Sequence, residues 1–273
     1  MMCNMYEINR CLHVACFIAL LGSAALVQGD QSWPSFQGPR GSGATTERLP
    51  QELGEKNISW KRMLPGYGLS TPVVHSNKVF ITCSSGPEQD RLRVLCIDGT
   101  KGQSLWERQF WATGRTMCHK KTSVAAPTPC TDGERIYALF SSNDLVCLDF
   151  EGNLIWLRGI TADYPNVSNS LGMASSLVVT DGVVVAQVEN DSESYAIGID
   201  AETGKNIWKI EREKSANWTS PLVLSPGLVG LQSKSGIDAV DTADGHFLWK
   251  YDGGASTIPS SCRKGNVLFV PSK

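Results

Sequence analysis

Asp98-Gly-Thr-Lys-Gly102-Gln-Ser-Leu-Trp106 is the first of four versions of one phrase. It returns as Asp149-Phe-Glu-Gly152-Asn-Leu-Ile-Trp156, as Asp200-Ala-Glu-Thr-Gly204-Lys-Asn-Ile-Trp208 and as Asp241-Thr-Ala-Asp-Gly245-His-Phe-Leu-Trp249. The four tryptophans stand 50, 52 and 41 residues apart, and Trp60 precedes Trp106 by 46. A period of that length in a β-rich sequence predicts an all-β fold, a β-propeller of four-stranded antiparallel blades. In each phrase the Asp carboxylate is placed to bond its own turn, and the Gly supplies a positive φ. The Trp that ends the phrase fills a large buried volume and has one N–H to donate. Its return at one position per repeat suggests a contact from blade to blade.

Hairpin signals fill the space between the phrases. Thr71-Pro-Val-Val74 and Lys78–Thr82 flank a turn at Ser76-Asn77; Thr128-Pro-Cys-Thr131 and Arg135–Leu139 flank Asp132-Gly133. Ser176–Val179 precedes Asp181-Gly182, and Ser220–Leu224 precedes Pro226-Gly227. Turn dipeptides between β-branched runs are strong hairpin markers. The blades are expected at about 70–109, 125–159, 174–211 and 219–252. Residues 57–64 fit the last strand of a blade and 258–273 fit a first hairpin, so about four blades plus partial terminal strands are expected. That is an incomplete ring, a truncated or interrupted form of a longer propeller; a five-bladed ring with one defective blade is the alternative.

The 273 residues carry a formal charge of −2, which offers no overall case for nucleic acid or an anionic membrane. Arg10, the apolar run Leu12–Val27 and the small residues up to Gly29 are expected to form a signal peptide over 1–29. No membrane span is then expected, and the mature chain is expected to be exported to the periplasm or outside the cell. Residues 30–56 read as an extended lead-in, and 57–273 as the partial propeller. Six cysteines follow the leader. Cys96 and Cys147 precede their motif Asp by two residues, where the other repeats have Gly198 and Ala239, so this position asks for a small side chain. Cys118 with Cys130 is the one pair left open as a bridge.

The phrase resembles the tryptophan-docking motif of the pyrroloquinoline-quinone-type (PQQ-like) repeat family. The opening Trp33-Pro-Ser-Phe-Gln-Gly-Pro is similar to that of exported PQQ-like repeat proteins of planctomycete-type bacteria. The resemblance implies that Trp106, Trp156, Trp208 and Trp249 stack on the neighbouring blade. It implies one of two functions. One is a cofactor-free binding propeller at the cell envelope, with a protein or polysaccharide partner. The other is a quinoprotein alcohol or sugar dehydrogenase, which holds PQQ and Ca2+. The dehydrogenases carry adjacent cysteines, and this chain has no Cys-Cys. The expectation is a non-catalytic module with no catalytic residue, metal or cofactor, with a dehydrogenase fragment as the alternative.

No Gly-x-Ser-x-Gly, P-loop or zinc-hydrolase signature is present. The acidic stretch Glu189-Asn-Asp191-Ser-Glu193 has no calcium-loop spacing and reads as a charged turn. Loop length is more informative. The connections at 110–124 and 160–173 are long, and blade topology puts them on the same face as the turns at 84–91 and 189–194. Binding residues concentrate on such loops. Three segments there supply the candidate binding residues: Arg115, His119, Lys120 and Lys121; Tyr164, Asn166 and Asn169; and Asn217 with Trp218.

Overall fold

The computed structural model describes residues 32–46, 48–52, 54–167 and 171–272. The leader expected over 1–29 and the candidate Asn169 lie outside the described residues. The fold is all-β, built of antiparallel sheets that are mostly four-stranded. Blade 1 is Val73–His75, Lys78–Ser85, Arg91–Asp98 and Ser104–Trp111; blade 2 is Cys130–Thr131, Arg135–Leu139, Asp144–Asp149 and Leu154–Gly159. Blade 3 is Val178–Thr180, Val183–Val188, Tyr195–Asp200 and Asn206–Glu211; blade 4 is Leu222–Ser225, Leu228–Ser233, Gly236–Asp241 and Phe247–Tyr251. A hairpin, Cys262–Lys264 with Val267–Phe269, follows. Among the described residues helix is confined to a short 3-10 turn, Glu55–Asn57, and the four-residue helix Ile160–Asp163.

The middle strands explain the near-continuous apolar runs. Blades 2 and 3 are each covered by a neighbouring blade on both faces, so both sets of alternating side chains of their middle strands are inside. Val183–Val188 is buried at every position. The cores therefore lie between blades. Phe80, Leu92 and Val94 of blade 1 pack with Ile136, Ala138 and Val146 of blade 2. Tyr137, Leu139 and Leu145 of blade 2 meet Val184, Ala186 and Ile197 of blade 3, and Val185 and Ala196 meet Val229 and Leu231 of blade 4.

The repeated phrase closes each outer hairpin as its residues require. Asp98, Asp149, Asp200 and Asp241 each accept backbone N–H bonds from their own turns through Oδ1, at 2.7–3.0 Å. The motif glycine that follows is left-handed in every repeat, for example φ +84° at Gly152 and +70° at Gly204. That bare glycine is where the previous blade's indole lies. A Cβ on Gly152 would fall 2.7 Å from the Trp106 ring, one on Gly204 2.7 Å from Trp156, and one on Gly245 2.8 Å from Trp208. The indole N–H completes the contact by donating to the carbonyl just after the next motif Asp: Trp106 to Phe150 at 2.8 Å, Trp156 to Ala201 at 3.1 Å and Trp208 to Thr242 at 2.7 Å.

Trp60 joins this series, lying against Gly102 and donating to the Gly99 carbonyl at 2.7 Å. Its segment is not the strand expected over 57–64: among the described residues it pairs with no strand, and a lone strand has no ladder to satisfy its backbone. The small residue two before each Asp also finds its reason. Cys96, Cys147, Gly198 and Ala239 stand directly across the ladder from Trp106, Trp156, Trp208 and Trp249, each followed by a register shift. A Cβ on Gly198 would fall 2.1 Å from the Trp208 ring. Trp249 is 43% exposed and faces no motif glycine among the described residues.

Candidate functional site

Strands alternate in direction, so the short first and third turns of every blade gather on one side and the longer connections on the other. Four successive connections, 112–129, 160–177, 212–221 and 252–261, converge there. They supply His119 and Lys121, then Leu171, then Trp218, then Ile258 to the wall of one cavity of about 620 Å³. That is the size range of small-ligand sites. Trp218 is held in place by its N–H, which donates to the Gly172 carbonyl at 3.0 Å, and by its backbone N–H to Thr257.

A ladder of hydroxyls lines part of the cavity. The backbone N–H of Thr71 donates to Thr128 Oγ1 at 2.9 Å, and that of Thr128 to Ser176 Oγ at 3.1 Å. The series continues from Ser176 to Ser220 Oγ at 2.9 Å and from Ser220 to Ser260 Oγ at 3.0 Å. Thr128, Ser176, Ser220 and Ser260 all line the cavity. Each hydroxyl is used as an acceptor and keeps an O–H to donate. The ladder is visible in the sequence only as a Ser or Thr at the start of each inner strand, a signal the hairpin reading passes over.

The lead-in closes the other end. Ser32–Trp33 adds a strand to blade 1 through His75 and Val74. The segment then crosses the hub: the Pro34 carbonyl accepts from Thr131 N–H of blade 2, and Gln37 Nε2 donates to Ser261 O at 2.9 Å. The Gly41 carbonyl accepts from Arg263 N–H of the last hairpin, and a Cβ there would strike Leu222 of blade 4 at 2.5 Å. Within the segment Gly38, φ +71°, lies against the Trp33 ring. Phe36 borders both the crevice beneath the segment and the cavity above it. The hub thus holds a cup that opens among the long connections, with Phe36 of the lead-in in its lining.

The sequence candidates divide among three places. His119, Lys121 and Trp218 wall the cup. Arg115 and Lys120 are exposed on the same loop but outside the cup's lining. Among the described residues, none of Arg115, His119, Lys120 and Lys121 is in an ion pair. Asn217 is a correction: it is 3% exposed, and its amide is engaged by Glu189 at 2.8 Å and the Gln232 carbonyl at 2.7 Å. It supports the face from beneath and presents nothing to a ligand. Tyr164 and Asn166 lie away from the cup. The Tyr164 hydroxyl accepts from Asn206 at 2.6 Å with the Lys209 ammonium over its ring, and Asn166 is tied to Ser192 and Glu193. They brace the connection from blade 2 against blade 3.

The acidic stretch is engaged in the same way. Glu189 is buried and paired with Arg212 at 2.6 Å, Asp191 accepts from Ala216 N–H, and Glu193 pairs with Lys209. Gln232 beneath is a hub in itself, donating to the Ser256 and Pro259 carbonyls and accepting from Ser261. Cys118 and Cys130, left open as a bridge, are both free thiols. Cys118 Sγ accepts from Gln89 on the loop, whereas Cys130 is enclosed in the core between blades 2 and 3.

Residues 54–251 match the family described as outer membrane protein assembly factor BamB. The chain belongs to that family. It is 24% identical over 234 residues to the BamB of Moranella endobia (strain PCIT), covering 83% of this chain and 55% of that protein. The chain spans about half the length of the curated relatives it matches. Among solved structures it is similar to BamB from Moraxella catarrhalis, with a TM-score of 0.53 and 16% identity over 85% of this chain and 61% of that one. The quinohemoprotein alcohol dehydrogenase of Comamonas testosteroni gives a TM-score of 0.58 at 17% identity over 82% and 41%. Likeness at such identities shows the shared propeller fold alone. No helix among the described residues is long and apolar enough to cross a membrane.

Proposed function

We propose that this chain is a non-catalytic, exported scaffold of the cell envelope, whose indole-docked blades carry a protein-binding face on the long connections. The observation that carries the reading is the cationic loop 115–121, unpaired and exposed on that side of a rigid hub. Cations that have no partner in the fold remain available to an acidic one, and they steer its approach. Protein is favoured over polysaccharide because the matched family is named for the assembly of outer membrane proteins.

The test is recovery of partners from envelope extracts. Arg115, Lys120 and Lys121 are reversed to Glu together, with Lys205→Glu on the short-turn side as the control. The reversed loop is expected to lose its partners and the control to keep them. Equal recovery by both variants would remove the loop from the binding face.

A further inference from the structure

We propose that the turn Asp98–Gly102 of blade 1 is a recognition site for an extended Trp-x-Arg segment of a partner chain, and that residues 57–64 occupy it in cis as an exchangeable stand-in. The site lies in an outer turn, apart from the long connections. Its recognition pattern is written three times in the molecule. Trp60, Trp106 and Trp156 each donate the indole N–H to the carbonyl one residue after a motif Asp: Gly99 at 2.7 Å, Phe150 at 2.8 Å and Ala201 at 3.1 Å. Each time the Arg two residues on donates to the carbonyl of the motif glycine, Gly102, Gly152 or Gly204. Residues two apart on an extended segment share a face, so one short segment delivers both donors to two acceptors of one turn. The bare glycine makes room for the ring, since a Cβ on Gly102 would fall 2.6 Å from Trp60.

Blade 1 differs in how the pattern reaches it. Trp106 and Trp156 arrive on strands, with Cys96 and Cys147 as their ladder partners. Trp60 arrives outside any sheet, and among the described residues no backbone group of 58–66 bonds to a blade. Lys61, Arg62 and Met63 are exposed. The hydrogen bonds that hold the segment on the blade are those of Trp60 and Arg62, so the pair docks without a ladder. The turn does not need the segment in return. Asp98 Oδ1 accepts from the N–H groups of Thr100 at 2.9 Å and Lys101 at 2.8 Å. The Gly99 N–H donates to the Asn77 carbonyl and the Thr100 hydroxyl to Asn77 Oδ1, both at 2.7 Å. A turn braced from within its own blade keeps its shape when the segment leaves, which keeps the ordering cost of binding low. The cis segment sets the threshold for a partner. Tyr67, seven residues after Trp60, is fixed by its N–H to the Ser84 carbonyl at 2.8 Å. A tether that short holds Trp60 at an effective concentration of about a millimolar, so the site opens to a matching or locally concentrated segment and excludes weak ones.

The probe is the peptide Asn-Ile-Ser-Trp-Lys-Arg-Met-Leu, a copy of residues 57–64, labelled at its N-terminus and followed by fluorescence anisotropy against the full chain. The Trp60→Ala chain is expected to bind it saturably, and the parent at least about tenfold more weakly because the cis segment competes. On the Trp60→Ala chain, peptides with Ala in place of Trp, or Ala in place of Arg, are each expected to bind about tenfold more weakly or worse, the scale of one lost anchor. Adding Gly102→Ala to Trp60→Ala is expected to abolish binding, since the methyl takes the place of the ring. Far-UV circular dichroism establishes that each variant is folded. A second measurement needs no variant: the peptide with a benzophenone in place of its Lys is irradiated with an excess of the parent chain, and adducts are expected within 77–78 and 98–102. These adducts alone decide the matter if Trp60→Ala does not fold. No saturation of a folded Trp60→Ala chain, equal affinity of the peptide and its Ala forms, equal affinity of the parent and Trp60→Ala, or adducts confined to other residues would each overturn the proposal.

Discussion

Replacing Gly204 with Ala tests the joint between blades directly. Two costs arise there and can be separated. Gly204 has φ +70°, so any L side chain is strained, at about 1–2 kcal/mol. The reduced freedom of the unfolded chain offsets roughly 0.4–1 kcal/mol of this. Gly182, with φ +73° and nothing within 4 Å of an added Cβ, bears only that net cost, about 1 kcal/mol. At Gly204 the new methyl must also displace the Trp156 ring, whose atoms stand 2.7–3.0 Å away. The displaced indole forfeits its bond to the Ala201 carbonyl, about 1 kcal/mol, and part of its buried area. A Trp buries about 200 Å², and losing a third of that at ~25 cal/mol per Å² adds ~1.5 kcal/mol. Gly204→Ala should therefore cost about 3–4 kcal/mol. In a Trp156→Ala background the ring is gone, and the same change should cost only about 1 kcal/mol, a coupling of about 2.5 kcal/mol. Urea unfolding followed by far-UV circular dichroism gives all four corners of the cycle. A coupling below about 0.5 kcal/mol, or equal losses for Gly182→Ala and Gly204→Ala, would refute the packing argument.

Three further outcomes follow from the same geometry. Arg62, Arg108 and Arg158 stand two residues after their tryptophans and donate to the carbonyl of the same motif glycine, at 3.1, 2.5 and 2.8 Å. Arg108→Ala should lower stability by about 1 kcal/mol in the same urea assay, while Arg115→Ala should leave it unchanged. The Asp98 carboxyl is held below the ordinary range by the backbone N–H of Lys101, and that of Asp200 by the Thr203 hydroxyl and N–H. A depressed folded pKa gives stability that is present above the unfolded value near 3.8 and is lost as pH falls through the lower folded value. Unfolding midpoints should thus be level down to about pH 4 and fall below it, with a shallower fall for Asp200→Asn. Burial pushes the thiols of Cys83 and Cys96 up to about 11 and that of Cys147 up to about 12. At pH 8, iodoacetamide followed by peptide mass mapping should modify Cys118 and Cys262 in the native protein and the buried thiols only after unfolding. Rapid native labelling of Cys147 would contradict the packing between blades 2 and 3.

The propeller was legible because its repeat is local. An Asp that caps its own turn, a Gly with positive φ and a Trp at a fixed offset need no knowledge of distant contacts, and the hairpins between them carry their own turn residues. The blades fall within a few residues of where those signals place them. What stayed hidden is what the chain does across itself. Asn217 looked like a surface amide beside Trp218, and nothing local says that Glu189 and the Gln232 carbonyl reach it from below. The residues 57–64 have strand composition, yet pairing depends on a neighbour that local sequence does not name. The lead-in reads as an extended segment, and only the three-dimensional arrangement brings Phe36 into the lining of the cup. The hydroxyl ladder and the Trp-x-Arg pairing lay in plain view as repeated letters; their meaning needed the adjacent blade.

The sidedness of the molecule is the claim on which its function rests. A photo-cross-linking amino acid placed at Leu171, on the wall of the cup, and separately at His246, in a short turn on the opposite side, reads that sidedness in the envelope of producing cells. Adducts with a protein partner from position 171 and none from position 246 are the predicted result. Adducts from 246 alone, or equally from both, would contradict it.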